Sequence, residues 1–299
     1  MTGPGGGCTV RRMLRRVAPG LAAVLVLALT ACAQGPDDPG ARTSNSPAPP
    51  DPGTGAASTA IQLVNLWRVS GAEGEGADTW LRLDVPEFQL WRDCGMIQGS
   101  WRATDTFFLA STYGASGECV TGSTLPRVVW LESVSEYRAV GDGWELRDSQ
   151  GAVVATLTLD GGPDPIPTAA ESFTEPPAIT DRMREELRQP APLPIGLTPA
   201  TPENLAARWA PVGGTSDPHV VFDANGAWTG SDGCNGGQGR WAADGAGAFL
   251  ATPGISTLVA CEGTPVTSWV SQARWAVIDN GALRLLDANA SELGRLGRD

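Results

Sequence analysis

Cys94-Gly95-Met96-Ile97-Gln98-Gly99-Ser100-Trp101 and Cys234-Asn235-Gly236-Gly237-Gln238-Gly239-Arg240-Trp241 are two spellings of one text. Cys, Gln, Gly and Trp coincide at an offset of 140. Downstream the offset becomes 139 and persists: Pro126 maps to Pro265, Trp130 to Trp269, Leu131 to Val270, Asp148 to Asp287 and Leu157 to Leu296. Upstream, Trp67 and Trp209 open the two copies. So many matches at nearly one spacing mark a duplicated unit.

Inside the unit the pattern is mostly β. Leu81, Leu83 and Val85 alternate with Arg82 and Asp84 as in a half-buried strand. Phe88 and Leu90 resume that alternation after Pro86, and Trp144-Glu145-Leu146 and Val153 to Leu159 add later strands. In the second copy Val220-Val221-Phe222 and Ala227-Trp228-Thr229 flank Asp223-Ala224-Asn225-Gly226, residues that favour a hairpin turn. One segment per copy changes period. Val266, Trp269, Val270 and Ala273 share a helix face, with Thr264 expected as N-cap and Pro265 at the first helical position. The matching segment from Pro126 puts Trp130 and Val134 on one face. The expected fold is α+β, mainly β: two repeats of a curled antiparallel sheet or half-barrel, with one short helix each.

The second copy resembles the META domain (HslJ-like) family. It has the opening Trp209, then Gly233-Cys234-Asn235, then Gly239 near an aromatic, then a Ser/Thr-rich stretch ending in Ala260-Cys261, the helix and closing strands. The first copy is similar in a diverged form, with Asp93-Cys94-Gly95 in place of Gly-Cys-Asn. The resemblance implies a curled antiparallel sheet with a helix packed against it, an association with the cell envelope, and no established catalytic residues. It supplies a fold more than a function.

The chain before the repeat reads as an export signal. Arg11, Arg12, Arg15 and Arg16 precede the apolar run Leu21 to Leu29, which is too short to span a bilayer. Leu29-Thr30-Ala31-Cys32 looks like a bacterial lipobox. That likeness implies lipid transfer to the Cys32 sulfur, palmitate among the acyl chains, and cleavage before Cys32. The expected organisation is a lipoprotein signal peptide over 1–31, a disordered tether over 32–60, a diverged META-like domain over 61–162, a Pro-rich linker over 163–202 and a second META-like domain over 203–298. Within the linker, Thr180 to Gln189 could form an isolated polar helix. The tether's Pro, Gly, Ser, Thr and Ala cannot bury enough surface to fold.

Four cysteines remain beyond the signal and the lipid site, and four allow three pairings. An exported chain meets an oxidising compartment, and a duplicated unit that folds alone should carry its own bridge. Cys94-Cys119 and Cys234-Cys261 are therefore the expected disulfides. The rival readings are a metal site or a redox pair, and the absence of any Cys-x-x-Cys weakens both.

Charge and residue types narrow the function. Without the first 31 residues the chain holds 17 basic and 33 acidic residues, a charge of -16. Such a surface repels phosphate backbones, so nucleic acid is not an expected partner. His219 is the one histidine, and a strand-edge position explains it better than a Ser-His-Asp centre. Gly233 to Gly239 lacks the following helix of a phosphate cradle and reads as a bend at a barrel rim. Glu73, Glu75 and Asp37-Asp38 read as solvated charge, and Asp223 to Gly226 lacks the closing Glu of a calcium loop.

Tryptophan carries the main ambiguity. There are 11 Trp against 6 Phe and 2 Tyr, so indoles must supply much of the large apolar surface. The matched pairs Trp101/Trp241 and Trp130/Trp269 are expected in the cores. Trp80, Trp91, Trp144, Trp228 and Trp275 are unmatched, and some could form an exposed surface for a protein or glycan.

The expectation is a non-enzymatic binding or structural module without cofactor or metal, held by its lipid on the extracytoplasmic face of the cell membrane. An apolar-ligand carrier with a pocket inside one curled sheet is the alternative, and an enzyme comes last.

Overall fold

The computed structural model describes residues 58–120, 126–214, 217–260 and 262–299. The export signal, Cys32 and the tether up to residue 57 lie outside the described residues, as does Cys261. Both copies belong to the unit Pro52–Asp299.

The first half contributes β1 (Asn65–Ser70), β2 (Trp80–Leu83), β3 (Glu87–Arg92), β4 (Gly95–Ala103), β5 (Phe108–Gly117), helix α1 (Val129–Ser133), β6 (Val134–Val140), β7 (Gly143–Asp148) and β8 (Val153–Thr158). The linker holds α2 (Asp181–Glu186) and β9 (Thr198–Pro199). The second half opens with α3 (Pro202–Leu205) and continues through β10 (Arg208–Pro211), β11 (Pro218–Phe222), β12 (Ala227–Asp232), β13 (Gly236–Ala243), β14 (Phe249–Ala251), α4 (Val266–Gln272), β15 (Trp275–Asp279), β16 (Ala282–Leu286) and β17 (Glu292–Arg298).

The first sheet runs β5-β4-β3-β2-β1-β8-β7-β6 and the second β14-β13-β12-β11-β10-β17-β16-β15-β9. Apart from β9, the two orders are the same path, and every ladder is antiparallel. Each sheet curls until its end strands meet. The bridge Phe107↔Glu136 joins the start of β5 to β6, and Ala248↔Trp275 does the same for β14 and β15. The fold is thus mainly β with two curled antiparallel sheets and a few short helices, as the alternating pattern suggested.

Indole N–H groups lock both curls at matching places, because a buried indole needs an acceptor. Trp67 donates to the Leu63 carbonyl at 2.8 Å and Trp209 to that of Leu205 at 2.9 Å. Trp101 donates to the Asp84 carbonyl at 2.7 Å and Trp241 to that of Asp223 at 3.0 Å. Leu81, Phe88 and Phe108 fill the first interior, and Val220, Phe249 and Leu283 the second.

Several local expectations need correction. Pro265 itself occupies the N-cap of α4 instead of the first helical position, because its ψ of 50° is not helical; no side chain caps that end, and the Pro265 carbonyl accepts the first helical bond from Trp269. Helix α1 is a single short turn, because Val134 already belongs to β6. β2 is buried on both faces, not one. Its outward Trp80 and Arg82 lie under the linker, where the Arg82 guanidinium sits 5.3 Å from the Phe173 ring and donates to the Glu175 carbonyl at 3.0 Å.

The linker packs on the first sheet. Ile166, Ala169 and Phe173 pack on Leu66, Trp80, Trp91 and Met96. The helix expected to be polar and isolated is neither: Met183 and Leu187 join the first core. Thr180 caps α2 through the Met183 N–H. Farther on, the Ala191 carbonyl accepts the Trp275 indole N–H at 3.0 Å, and β9 pairs with β15.

Candidate functional site at the junction of the barrels

The barrels dock through their β4–β5 and β13–β14 faces, with β5 against β13 and β4 against β14. These contacts are reciprocal, since β13 holds the place in the second sheet that β4 holds in the first. Leu109 and Leu250, which are repeat equivalents, share one apolar cluster with Phe107, Ala242 and Ala248. Ser111 and Thr252, also equivalents, join hydroxyls at 2.7 Å. The same patch meets itself, as in a twofold homodimer.

The symmetry fails at the pair beside these hydroxyls. Ser100 donates from its hydroxyl to the Pro253 carbonyl. Counting along the paired strands, the mates of Ser100 and Pro253 are Arg240 and Thr112, and that contact is not made. The cause is local: β5 runs ten residues, whereas β14 stops after three, just ahead of Pro253, which has no N–H for a ladder. On that side a cavity of about 310 Å³ opens between the copies, lined by Thr112, Arg127, Glu132, Thr229, Gln238 and Arg240 among others. A second opening of about 300 Å³, lined by Phe107, Ser135, Asn225 and Trp241, also reaches Arg240.

Arg127 and Glu132 form an ion pair at 2.7 Å. Arg240 makes no side-chain hydrogen bond or ion pair among the described residues, and its Nε and the Thr112 hydroxyl are buried without partners. Burial lowers the Arg240 pKa, Glu132 opposes that shift and Arg127 adds to it. A guanidinium still keeps its charge. The cavity therefore carries two cations and one anion, a net positive site on an acidic protein.

The remaining candidates fall elsewhere. Cys94 and Cys119 form a disulfide with Cα atoms 4.8 Å apart, tying the start of β4 to the end of β5. Cys234 is disulfide-bonded, and its expected partner Cys261 lies outside the described residues. His219 sits on β11 with Nδ1 at 2.8 Å from the Asp217 carbonyl, opposite Ser231. Among the described residues no cluster of His, Cys, Asp or Glu could hold a metal ion, and no helix is long and apolar enough to cross a membrane.

Two roles were hidden in the sequence. Glu75, read as solvated charge, has a side chain only 2% exposed and accepts from Arg92 and the Trp130 indole. Its Gly-rich surroundings gave no sign of this. Asn235 acts as a peptide mimic: its amide donates to the Val259 carbonyl at 2.9 Å and its carbonyl accepts the Val259 N–H. Gly95 takes that place in the first copy and pairs through its backbone with Gly117. The Gly-rich run is bend and strand together, with Gly233 at φ +101° and Gly239 inside β13. A Cβ on Gly239 would collide with the Thr252 carbonyl and the Trp228 indole.

The unmatched tryptophans make no exposed aromatic surface. Trp80, Trp91, Trp144 and Trp228 are buried and Trp275 is half-buried. The linker covers the first two, and Trp228 donates to the Thr252 carbonyl at 3.0 Å.

No curated protein and no solved structure matches the chain. Residues 203–298, which span all but the first residue of α3 and all of β10 to β17, match the family model of the META domain.

Proposed function

We propose that the chain is a membrane-anchored extracytoplasmic lipoprotein that serves the cell envelope as a non-enzymatic binding module, built from two META-type barrels. The matching strand order and indole locks support reading the first barrel as a diverged second copy. The Arg-rich start, the short apolar run and Leu29-Thr30-Ala31-Cys32 support lipid attachment at Cys32. The spacing of the repeat supports Cys234-Cys261 as the second disulfide.

One observation carries the binding reading: side chains fill both barrel interiors, and two openings of about 310 and 300 Å³ lie outside them, at the junction. A filled interior leaves an apolar carrier no room inside the barrel. The occupant is an envelope component, with the junction as its contact.

Photo-cross-linking on intact cells tests this. A cross-linker in place of Gln238, in the junction, yields a discrete adduct, and one in place of the exposed Val153 does not. Capture of nothing but lipid from position 238 sinks the binding reading. Cys32→Ala releases the protein from the membrane fraction if the anchor is correct; retention contradicts it.

A further inference from the structure

The two sides of the docking interface are built from equivalent residues, yet they end differently. On one side Ser100 and Pro253 close on each other. On the other, Arg240 and Thr112 each keep a buried polar atom without a partner, and both line the cavity of about 310 Å³. Of the two cations lining this cavity, Arg127 is paired with Glu132 and Arg240 has no ion pair among the described residues, so the Arg240 guanidinium is what the site offers to a ligand. Water would satisfy the Thr112 hydroxyl, whereas Arg240 shares its one acidic neighbour, Glu132, with Arg127, and an anion would give it a partner of its own.

We propose that this cavity binds a small hydroxylated anion, a sugar acid or sugar phosphate, with its carboxylate or phosphate on the Arg240 guanidinium. The inference rests on the binding reading above and names the ligand chemistry of the same site. Planar guanidinium donors match two oxygens of a carboxylate or phosphate. Gln238, Thr112 and Thr229 offer amide and hydroxyl groups suited to sugar hydroxyls. The volume lies at the small end of the ligand-site range, room for a monosaccharide and not for a long acyl chain. Arg127 does not compete for the anion, because Glu132 already pairs with it.

Arginine side-chain NMR on the full mature chain in detergent tests the proposal. Glucuronate, glucose 6-phosphate, glucose and inorganic phosphate are each titrated while the Nε–H signals are followed. The two anionic sugars should shift the Arg240 signal saturably, and glucose should leave it in place. Phosphate alone should bind more weakly than glucose 6-phosphate. Arg102 and Arg147 also carry buried Nε atoms without partners, and their signals should stay fixed. Arg240→Gln should weaken sugar-acid binding about tenfold or more, and Thr112→Val should weaken it less, with both variants keeping the wild-type amide spectrum.

An unmoved Arg240 signal with both anionic sugars, or equal binding to Arg240→Gln, overturns the proposal. Equal affinity for phosphate and glucose 6-phosphate also overturns it, because it marks a bare anion site. If position 238 still captures an envelope component on cells, the ligand class has failed and the binding reading stands. If neither experiment responds, both fall.

Discussion

The outer faces of the two barrels are the same surface in strand order and opposite in chemistry. The ladder registers align Leu66, Trp80, Trp91 and Met96 of the first with Arg208, His219, Ser231 and Gly236 of the second. The first set is buried under Ile166, Ala169 and Phe173, while the second is open or partly open to solvent. The fold therefore fixes the inner face and leaves the outer face to whatever the chain lays over it. An apolar outer face needs a cover, because that much exposed indole would invite association. A polar one does not.

The largest effect should come from removing the first outer face. Trp80→Ala should cost about 3–5 kcal/mol in a denaturant melt, as buried Trp truncations do. His219→Ala at the equivalent place should stay within about 0.5 kcal/mol. Similar losses at both positions would break the comparison. Next comes the tie at the rim: Cys94→Ser should cost about 3 kcal/mol, the chain-entropy value for a loop of this size. An unchanged melt would make the disulfide incidental.

Truncating the cover gives a smaller effect. Phe173 is half-buried, so Phe173→Ala should cost about 1–2 kcal/mol. It should also speed proteolysis between residues 163 and 175 without affecting the second barrel, and protection throughout the linker would contradict the covering role. The smallest effect depends on pH. Burial alone would raise the Asp105 pKa, but hydrogen bonds from Ser58, Gln189 and Thr59 outweigh it and hold the carboxyl below its ordinary 3.8. A depressed carboxyl adds stability that is present above the unfolded pKa and lost as pH falls through the folded one. Hydrogen-exchange protection factors at residues 58–63 and 187–191 should therefore fall as the pH drops from about 5 through the folded pKa, which lies below 3.8. Asp105→Asn should remove that difference; persistence of the difference would place its origin elsewhere.

What was legible in the sequence is what repeats. Cys, Gly and Trp recur at one spacing because curl, rim and indole lock impose the same demand twice, and the strand order follows. The linker's contacts were not legible, because Ile166, Ala169 and Phe173 are spread through a Pro-rich stretch with no period. The unmatched Trp80 and Trp91 were misleading for the same reason: their cover lies far along the chain. Glu75 showed nothing of its burial, since Gly neighbours suggest solvent and its partners Arg92 and Trp130 come from one strand and one helix farther along the chain. The candidate site was least legible of all. It arises where the two halves differ, with Arg240 in the place of Ser100 and Pro253 in the place of Thr112, and single differences of this kind carry no flag in a sequence.

The docking of equivalent faces is best tested by Ser111→Cys with Thr252→Cys in one chain, read by non-reducing peptide mapping. The hydroxyls now lie 2.7 Å apart, so the two sulfurs should join within the chain without a catalyst. Two free thiols under oxidising conditions, or a bond formed only between chains, would mean that the two barrels do not meet through this face.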